Sequence, residues 1–267
     1  MMIVLFSQIQ RFLANFLIKY LIDTQQLKLY QTIDWEKEVT RFQALGLTYP
    51  SYYTSVNFHG INQGYLNPVA ALTYDAVTSW ATLFGEKQLR QGLIHSIKSE
   101  PQTILDLGCG TGSMTIELKK TFYSAKVIGL DLSAYMLVMA DDKAKQQTLN
   151  IEWKQGLAEA TTFPDSSFDV ITISMLLHET PPHISLAILK EAYRLLTWQG
   201  QLMILDGNQQ RLRHVLWLAK LFREPYSPVY SQGDIRQWLK SVGFQDVQMQ
   251  PQWGIYQVSH SMKLYTL

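Results

Sequence analysis

A chain of 267 residues with 47% apolar and 17% charged side chains can bury a substantial core and is too apolar to be disordered. Its 23 lysines and arginines are balanced by 22 acidic residues, which leaves no positive excess to hold a phosphate backbone and excludes nucleic acid as an expected partner. The single cysteine, Cys109, rules out an intramolecular disulfide and suits a cytoplasmic setting.

Residues 2–22 carry apolar side chains at 2, 5, 6, 9, 12, 13, 16, 17 and 20, with Ser7, Gln8, Gln10, Arg11, Asn15 and Lys19 between them. That spacing predicts an amphipathic helix. A secretory signal needs basic residues ahead of its apolar run, and a spanning helix needs about 20 mostly apolar residues; neither pattern fits. The helix packs on its own domain or makes a peripheral contact with a membrane, and both stay open. The stretch 49–77 is rich in tyrosine, asparagine and glycine with little period, and predicts an irregular cover followed by a helix through Trp80. Residues 1–100 are therefore expected to form a helical and irregular N-terminal cap.

From residue 101 the pattern changes. Strands are expected at Thr103–Leu107, Lys126–Leu130, Ile151–Lys154, Phe168–Ser174 and Gln201–Leu205. Helices are expected at Thr115–Lys120, Ser133–Gln147, Ser185–Leu196 and Ile235–Val242, and the chain closes with an antiparallel hairpin. Alternating buried strands and helices predict an α/β fold, doubly wound around a mostly parallel sheet, over 101–267.

The most informative run is ILDLGCGTGS, residues 104–113. A strand that ends in glycines and enters a helix presents backbone N–H groups at the carboxyl edge of the sheet, where doubly wound folds bind ligands. Gly108, Gly110 and Gly112 let the chain turn and a ligand approach. Ser113 stands where a dinucleotide fingerprint needs glycine, which weakens a nicotinamide or flavin reading. Asp131 ends the second strand about 20 positions after Gly112, where an acidic side chain can accept both hydroxyls of a ribose. An adenosine-like ligand is expected.

LDLGCGTG, GLDLSAYML, FPDSSFDVITISMLLHE and EAYRLLTWQGQLMILD, in that order, resemble the class I S-adenosylmethionine-dependent methyltransferases, in their small-molecule, UbiE-like branch. The resemblance covers about residues 101–250. It implies a Rossmann-like seven-stranded sheet and S-adenosyl-L-methionine as cofactor. Asp106 would hold the amino group of the methionine part, Gly108 to Gly112 with Cys109 would line the cofactor, Asp131 would bind the ribose, and Leu132 and Met136 would flank the adenine. Leu157, Ala158 and Ser174 complete the implied set. Many relatives read the adenine amino group with an aspartate where this chain has Leu157, so backbone around Ala158 or the Glu159 carboxylate has to substitute.

The implied reaction is methyl transfer to an oxygen or carbon of a small aromatic or lipophilic acceptor. His178, at the end of the fourth strand, is the candidate base or acceptor-orienting residue. Tyr52, Tyr53, His59 and Tyr65 are the candidate acceptor-lining residues of the cover, and Arg211 in the 206–230 stretch could add a wall or bind an acidic group. HETPPH places His178 and His183 five apart across two prolines, so no metal site follows. A sensor or scaffold that binds the cofactor without turnover, and another transferase on the same fold, stay open; so does the oligomeric state.

Overall fold

The computed structural model describes residues 32–82 and 85–265, so the expected amphipathic helix of residues 2–22 lies outside the described residues. Seven strands form one sheet: β1 Thr103–Leu107, β2 Lys126–Asp131, β3 Glu152–Gln155, β4 Phe168–Ser174, β5 Leu196–Gly207, β6 Gln245–Pro251 and β7 Tyr256–Met262. Their order is β3-β2-β1-β4-β5-β7-β6. The first five are parallel, and β7 runs antiparallel to both β5 and β6. The order reverses between β1 and β4, and ligands of doubly wound sheets bind beyond the strand ends at such a switch.

Strand alternation builds two cores. Leu105, Leu107, Ile171, Ile173, Leu202 and Ile204 face one side, under the helices Pro182–Leu195 and Ile235–Val242. Ile104, Val127, Val170, Met203 and Leu205 face the other, under Glu86–His95 and Ser113–Thr121. Each fully buried side chain of this kind contributes about 1.5–3 kcal/mol. Asp106 falls on the Ile104 face by the same period of two.

The expected elements from residue 103 are present, with boundaries shifted by a few residues. The largest shift is in β5, which begins at Leu196 directly after the preceding helix. The cover differs more. A short helix at Ser51–Thr54 and a turn at Phe58–Gly60 precede a helix over Pro68–Ala81, so part of the stretch read as irregular is helical. Pro68 fits a first helical turn, where its missing N–H costs nothing, and the Asn67 side chain accepts from the Ala70 N–H at 2.9 Å. The Pro68–Ala81 helix packs against Ala134–Gln146 through Ala71, Leu72, Met136 and Met139. Among the described residues, no helix is long and apolar enough to cross a membrane.

Candidate functional site

The loop after β1 has positive φ at Gly108, Gly110 and Gly112, at 69°, 54° and 77°. The N–H groups of Gly108 and Cys109 donate to the Leu130 carbonyl at 2.8 and 3.0 Å, which ties the loop to the tip of β2. Two of the glycines serve different ends. A Cβ on Gly112 would meet the Trp153 ring at 2.6 Å and Ala140 Cβ at 2.9 Å, so this glycine exists for packing. A Cβ on Gly110 would meet nothing nearer than the Tyr74 ring at 3.8 Å, and its absence keeps space open above the sheet edge. Asp131 accepts from the N–H groups of Gly110 and Ser133, each at 2.8 Å, and burial pushes its pKa up to about 6. Its oxygens retain lone pairs for further donors.

A cavity opens here, between the strand tips and the cover. Gly108, Gly110, Asp131, Leu132 and Met136 line one part of it, with Leu157 and Ala158 beside them. The cover supplies Tyr52, Tyr53, Phe58, Tyr65 and Tyr74. Their rings form a connected wall: Tyr53 to Phe58 at 4.9 Å, Phe58 to Tyr65 at 5.7 Å, Tyr65 to Tyr74 at 5.7 Å. Hydrogen bonds fix it. Tyr52 donates to Glu159 Oε1 at 2.7 Å, the Tyr65 N–H donates to the Tyr53 hydroxyl at 2.8 Å, and Ser133 Oγ donates to the Tyr65 carbonyl at 2.6 Å. Met175, which lines the same cavity directly after β4, has φ 55°. Left-handed backbone at a residue with a Cβ costs roughly 1–2 kcal/mol, and such strain collects at functional sites.

A second tie fastens the cover to the glycine loop. Asp75 accepts from Thr111 Oγ1 at 2.6 Å and Ser113 Oγ at 3.2 Å and pairs with Lys143 Nζ at 2.6 Å. Burial works to raise its pKa, but the Lys143 charge and these hydrogen bonds hold it below the usual carboxylate range. The Asp75→Asn variant is expected to lose about 1–2 kcal/mol of stability, discounted because a third of the side chain reaches solvent, and to bind S-adenosylhomocysteine several-fold more weakly. Urea unfolding and calorimetry measure the two; unchanged values of both would contradict the tie.

Glu179 follows β4 and is 8% exposed. Its Oε1 accepts from His59 Nε2 at 2.9 Å and from the Tyr65 hydroxyl at 3.0 Å, while Oε2 is buried with no hydrogen-bond partner among the described residues. Burial alone would raise this carboxyl, but His59, His178 and Tyr65 hold it below its ordinary value. The His59 ring reaches the Phe222 carbonyl with Nδ1 at 2.9 Å, so both ring nitrogens face acceptors; despite burial its pKa is raised, chiefly by Glu179. That is an imidazolium.

His178 stands one residue from the cavity lining, with Nδ1 2.6 Å from Asp206 Oδ1 and Nε2 3.8 Å from Oε1 of the cavity-lining Glu179. Burial opposes its charge, but the Asp206 carboxylate outweighs burial and pushes the pKa up to about 10. At neutral pH the ring is protonated and has no lone pair with which to take a proton. A ring in that charge state cannot fill the expected base role, while the other expected role, orienting the acceptor, is unaffected. Because the folded pKa exceeds the unfolded value of about 6.5, the pair's stabilisation is fully present below pH 6.5 and is lost as pH rises through 10. The stability gap between wild type and His178→Gln is expected to shrink across that window, by up to about 1.4 kcal/mol per pH unit. Urea unfolding of both proteins from pH 6 to 10 checks this, and a constant gap would contradict it.

The other expected residues divide in the same way. The structure brings Gly108, Gly110, Asp131, Leu132, Met136, Leu157, Ala158, Tyr52, Tyr53 and Tyr65 to the cavity. It does not bring Asp106, Cys109, Gly112, Ser174, His59, His178 or Arg211 to its lining. Asp106 is fully buried beneath the Ser113–Thr121 helix, where Thr115 and Thr172 each donate to it at 2.6 Å; burial pushes it up to about 6. It braces the loop from below. Arg211 caps the β6–β7 hairpin through the carbonyls of Gln252 and Gly254, at 2.9 and 2.6 Å, and offers no acceptor wall. Glu159 lines the cavity with Oε1 already taken by Tyr52. Sequence reasoning missed Phe58, Tyr74, Met175, Leu176 and Glu179.

The sheet, reversed only in its last hairpin, thus carries a carboxylate at the end of β2 beside the glycine loop. Residues 104–200 match the family model described as methyltransferase domain. The demethylmenaquinone methyltransferase of Lactococcus lactis is 43% identical over 112 residues, covering 41% of this chain and 44% of that protein. The demethylmenaquinone methyltransferase of Lactobacillus johnsonii is 37% identical over 140 residues, covering 51% and 57%. The chain thus spans about half the length of these curated relatives. Human N-acetylserotonin methyltransferase in complex with S-adenosylmethionine shares the fold, with a TM-score of 0.60 at 18% identity over 93% of this chain and 70% of that one. So does a methyltransferase from Aquifex aeolicus, at 0.58 and 22% over 74% and 99%. Over residues 104–200 the chain thus resembles the methyltransferase domain, and its fold is shared with S-adenosylmethionine-dependent methyltransferases.

Proposed function

We propose that this chain transfers a methyl group from S-adenosylmethionine to an oxygen or carbon of a small aromatic acceptor, with a quinol-like ring as the leading class. The observation that supports this reading is that one cavity is walled both by the tips of β1 and β2 and by the aromatic cover. The residues present fit the cofactor. Asp131 can accept from ribose hydroxyls, the open space at Gly110 leaves backbone accessible, and Leu132, Met136 and Leu157 offer apolar surface to a purine. When bound, the cofactor supplies an electrophilic methyl group on a sulfonium.

The protein's part is to position and to exclude water. Tyr53, Phe58, Tyr65 and Tyr74 present ring faces that favour a nearby cation and a flat acceptor alike. The ties from Asp75, Ser133 and Glu179 hold those rings over the sheet edge, so that a nucleophile meets the methyl carbon already aligned. Alignment of two reactants can supply roughly 7–11 kcal/mol of the barrier. The named relatives methylate a quinone precursor by their descriptions, which supports the same acceptor class here. Incubating the full chain with methyl-labelled cofactor and a panel of demethylated quinols, naphthols and phenols tests the proposal. Label is expected in a ring product; transfer to none of them would refute it.

A further inference from the structure

We infer that the free oxygen of Glu179 is the docking group for a ring hydroxyl of the acceptor. This rests on the methyltransferase reading above and adds the functional group that the cavity recognises. Glu179 lines the cavity beside Met175 and Leu176, and its two oxygens are unlike. Oε1 is fully engaged by His59 and Tyr65, both from the cover, which fixes the carboxylate in one orientation. Oε2 is buried and without a partner among the described residues, although a buried acceptor is ordinarily satisfied. An ionised carboxylate can only accept, so its missing partner is a donor.

Charge selects the kind of donor. His59 pairs with Glu179 at 2.9 Å and His178 with Asp206 at 2.6 Å, while His178 Nε2 also lies 3.8 Å from Glu179 Oε1. Glu179 and Asp206 are thus each paired with a histidine, with Glu224 a further carboxylate acting on both rings. Because His59 already meets the charge of Glu179, the free oxygen of that carboxylate needs a donor and not a second cation. A neutral O–H on an aromatic ring satisfies Oε2 without adding charge to a buried site, and the ring itself meets Phe58 and Tyr65.

The test uses the full chain saturated with S-adenosylhomocysteine and three probes of one shape: 1-naphthol, 1-methoxynaphthalene and 1-naphthylmethylamine. Calorimetry is expected to show 1-naphthol binding at least tenfold more tightly than either of the others. In Glu179→Gln the amide keeps an oxygen toward His59 and turns N–H groups to the cavity, which hydroxyl and methoxy oxygens can both accept. The preference should fall to within about threefold, with affinity for S-adenosylhomocysteine unchanged. Equal binding of naphthol and its methyl ether by wild type, tighter binding of the amine, or a preference retained in Glu179→Gln would overturn the assignment. So would a matching loss of S-adenosylhomocysteine affinity in the variant, which would give the oxygen to the cofactor. If Glu179→Gln does not fold, the three-probe ranking on wild type decides alone. Failure of wild type to bind S-adenosylhomocysteine would overturn the methyltransferase reading, and this assignment with it.

Discussion

Asp131→Ala is expected to weaken binding of S-adenosylhomocysteine by two orders of magnitude or more while the chain still folds. Hydrogen bonds to a charged group contribute about 1.5–3 kcal/mol each, and a ribose offers two hydroxyls to this carboxylate. The substitution also frees the N–H groups of Gly110 and Ser133, so the glycine loop and the start of the Ala134–Gln146 helix lose a shared anchor. Folding should survive, because the Gly108 and Cys109 N–H bonds to Leu130 are backbone bonds that the change leaves alone. Asp131→Asn is expected to fall between, since an amide keeps one acceptor oxygen. Calorimetry on the three proteins ranks them; equal affinities would remove the ribose from this strand end.

Gly112→Val is expected to cost about 3–5 kcal/mol of stability, a large share of the 5–15 kcal/mol that a typical chain possesses. Two costs combine there. At φ 77° a β-branched residue is strained, and its Cβ would stand 2.6 Å from the Trp153 ring, which is wedged between Gly112 and Gly129. Gly110→Ala makes the contrast, because its Cβ clears every neighbour by 3.8 Å yet projects toward the cavity. That variant should lose only the roughly 1–2 kcal/mol of left-handed backbone strain, and should lose cofactor affinity as well. Urea unfolding separates the two; comparable destabilisation would show that both glycines serve packing alone.

Much of the ligand-binding half was legible because its signals are local. Apolar runs marked β1, β2 and β4, and Ser133, Gly243 and the glycine loop punctuated the helices. Residues whose role depends on distant partners were harder to place. Asp106 follows the alternation of its strand to the face opposite Leu105 and Leu107, so a carboxylate at the cofactor edge became a brace between Thr115 and Thr172. His178 looked like a base because of where β4 ends; its partner Asp206 lies at the end of β5, 28 positions on. Tyr74 and Asp75 were hidden because the Pro68–Ala81 helix is apolar on more than one face and shows little period. Glu179 closes the FPDSSFDVITISMLLHE motif without a role of its own, and nothing local to it announces His59, 120 positions earlier.

Hydrogen–deuterium exchange of the full chain, with and without S-adenosylhomocysteine, tests most directly that tips and cover enclose a single ligand. Slower exchange is expected both at residues 108–112 and 131–133 and in the cover at 52–66. Protection of the tips with the cover unchanged would contradict the shared cavity.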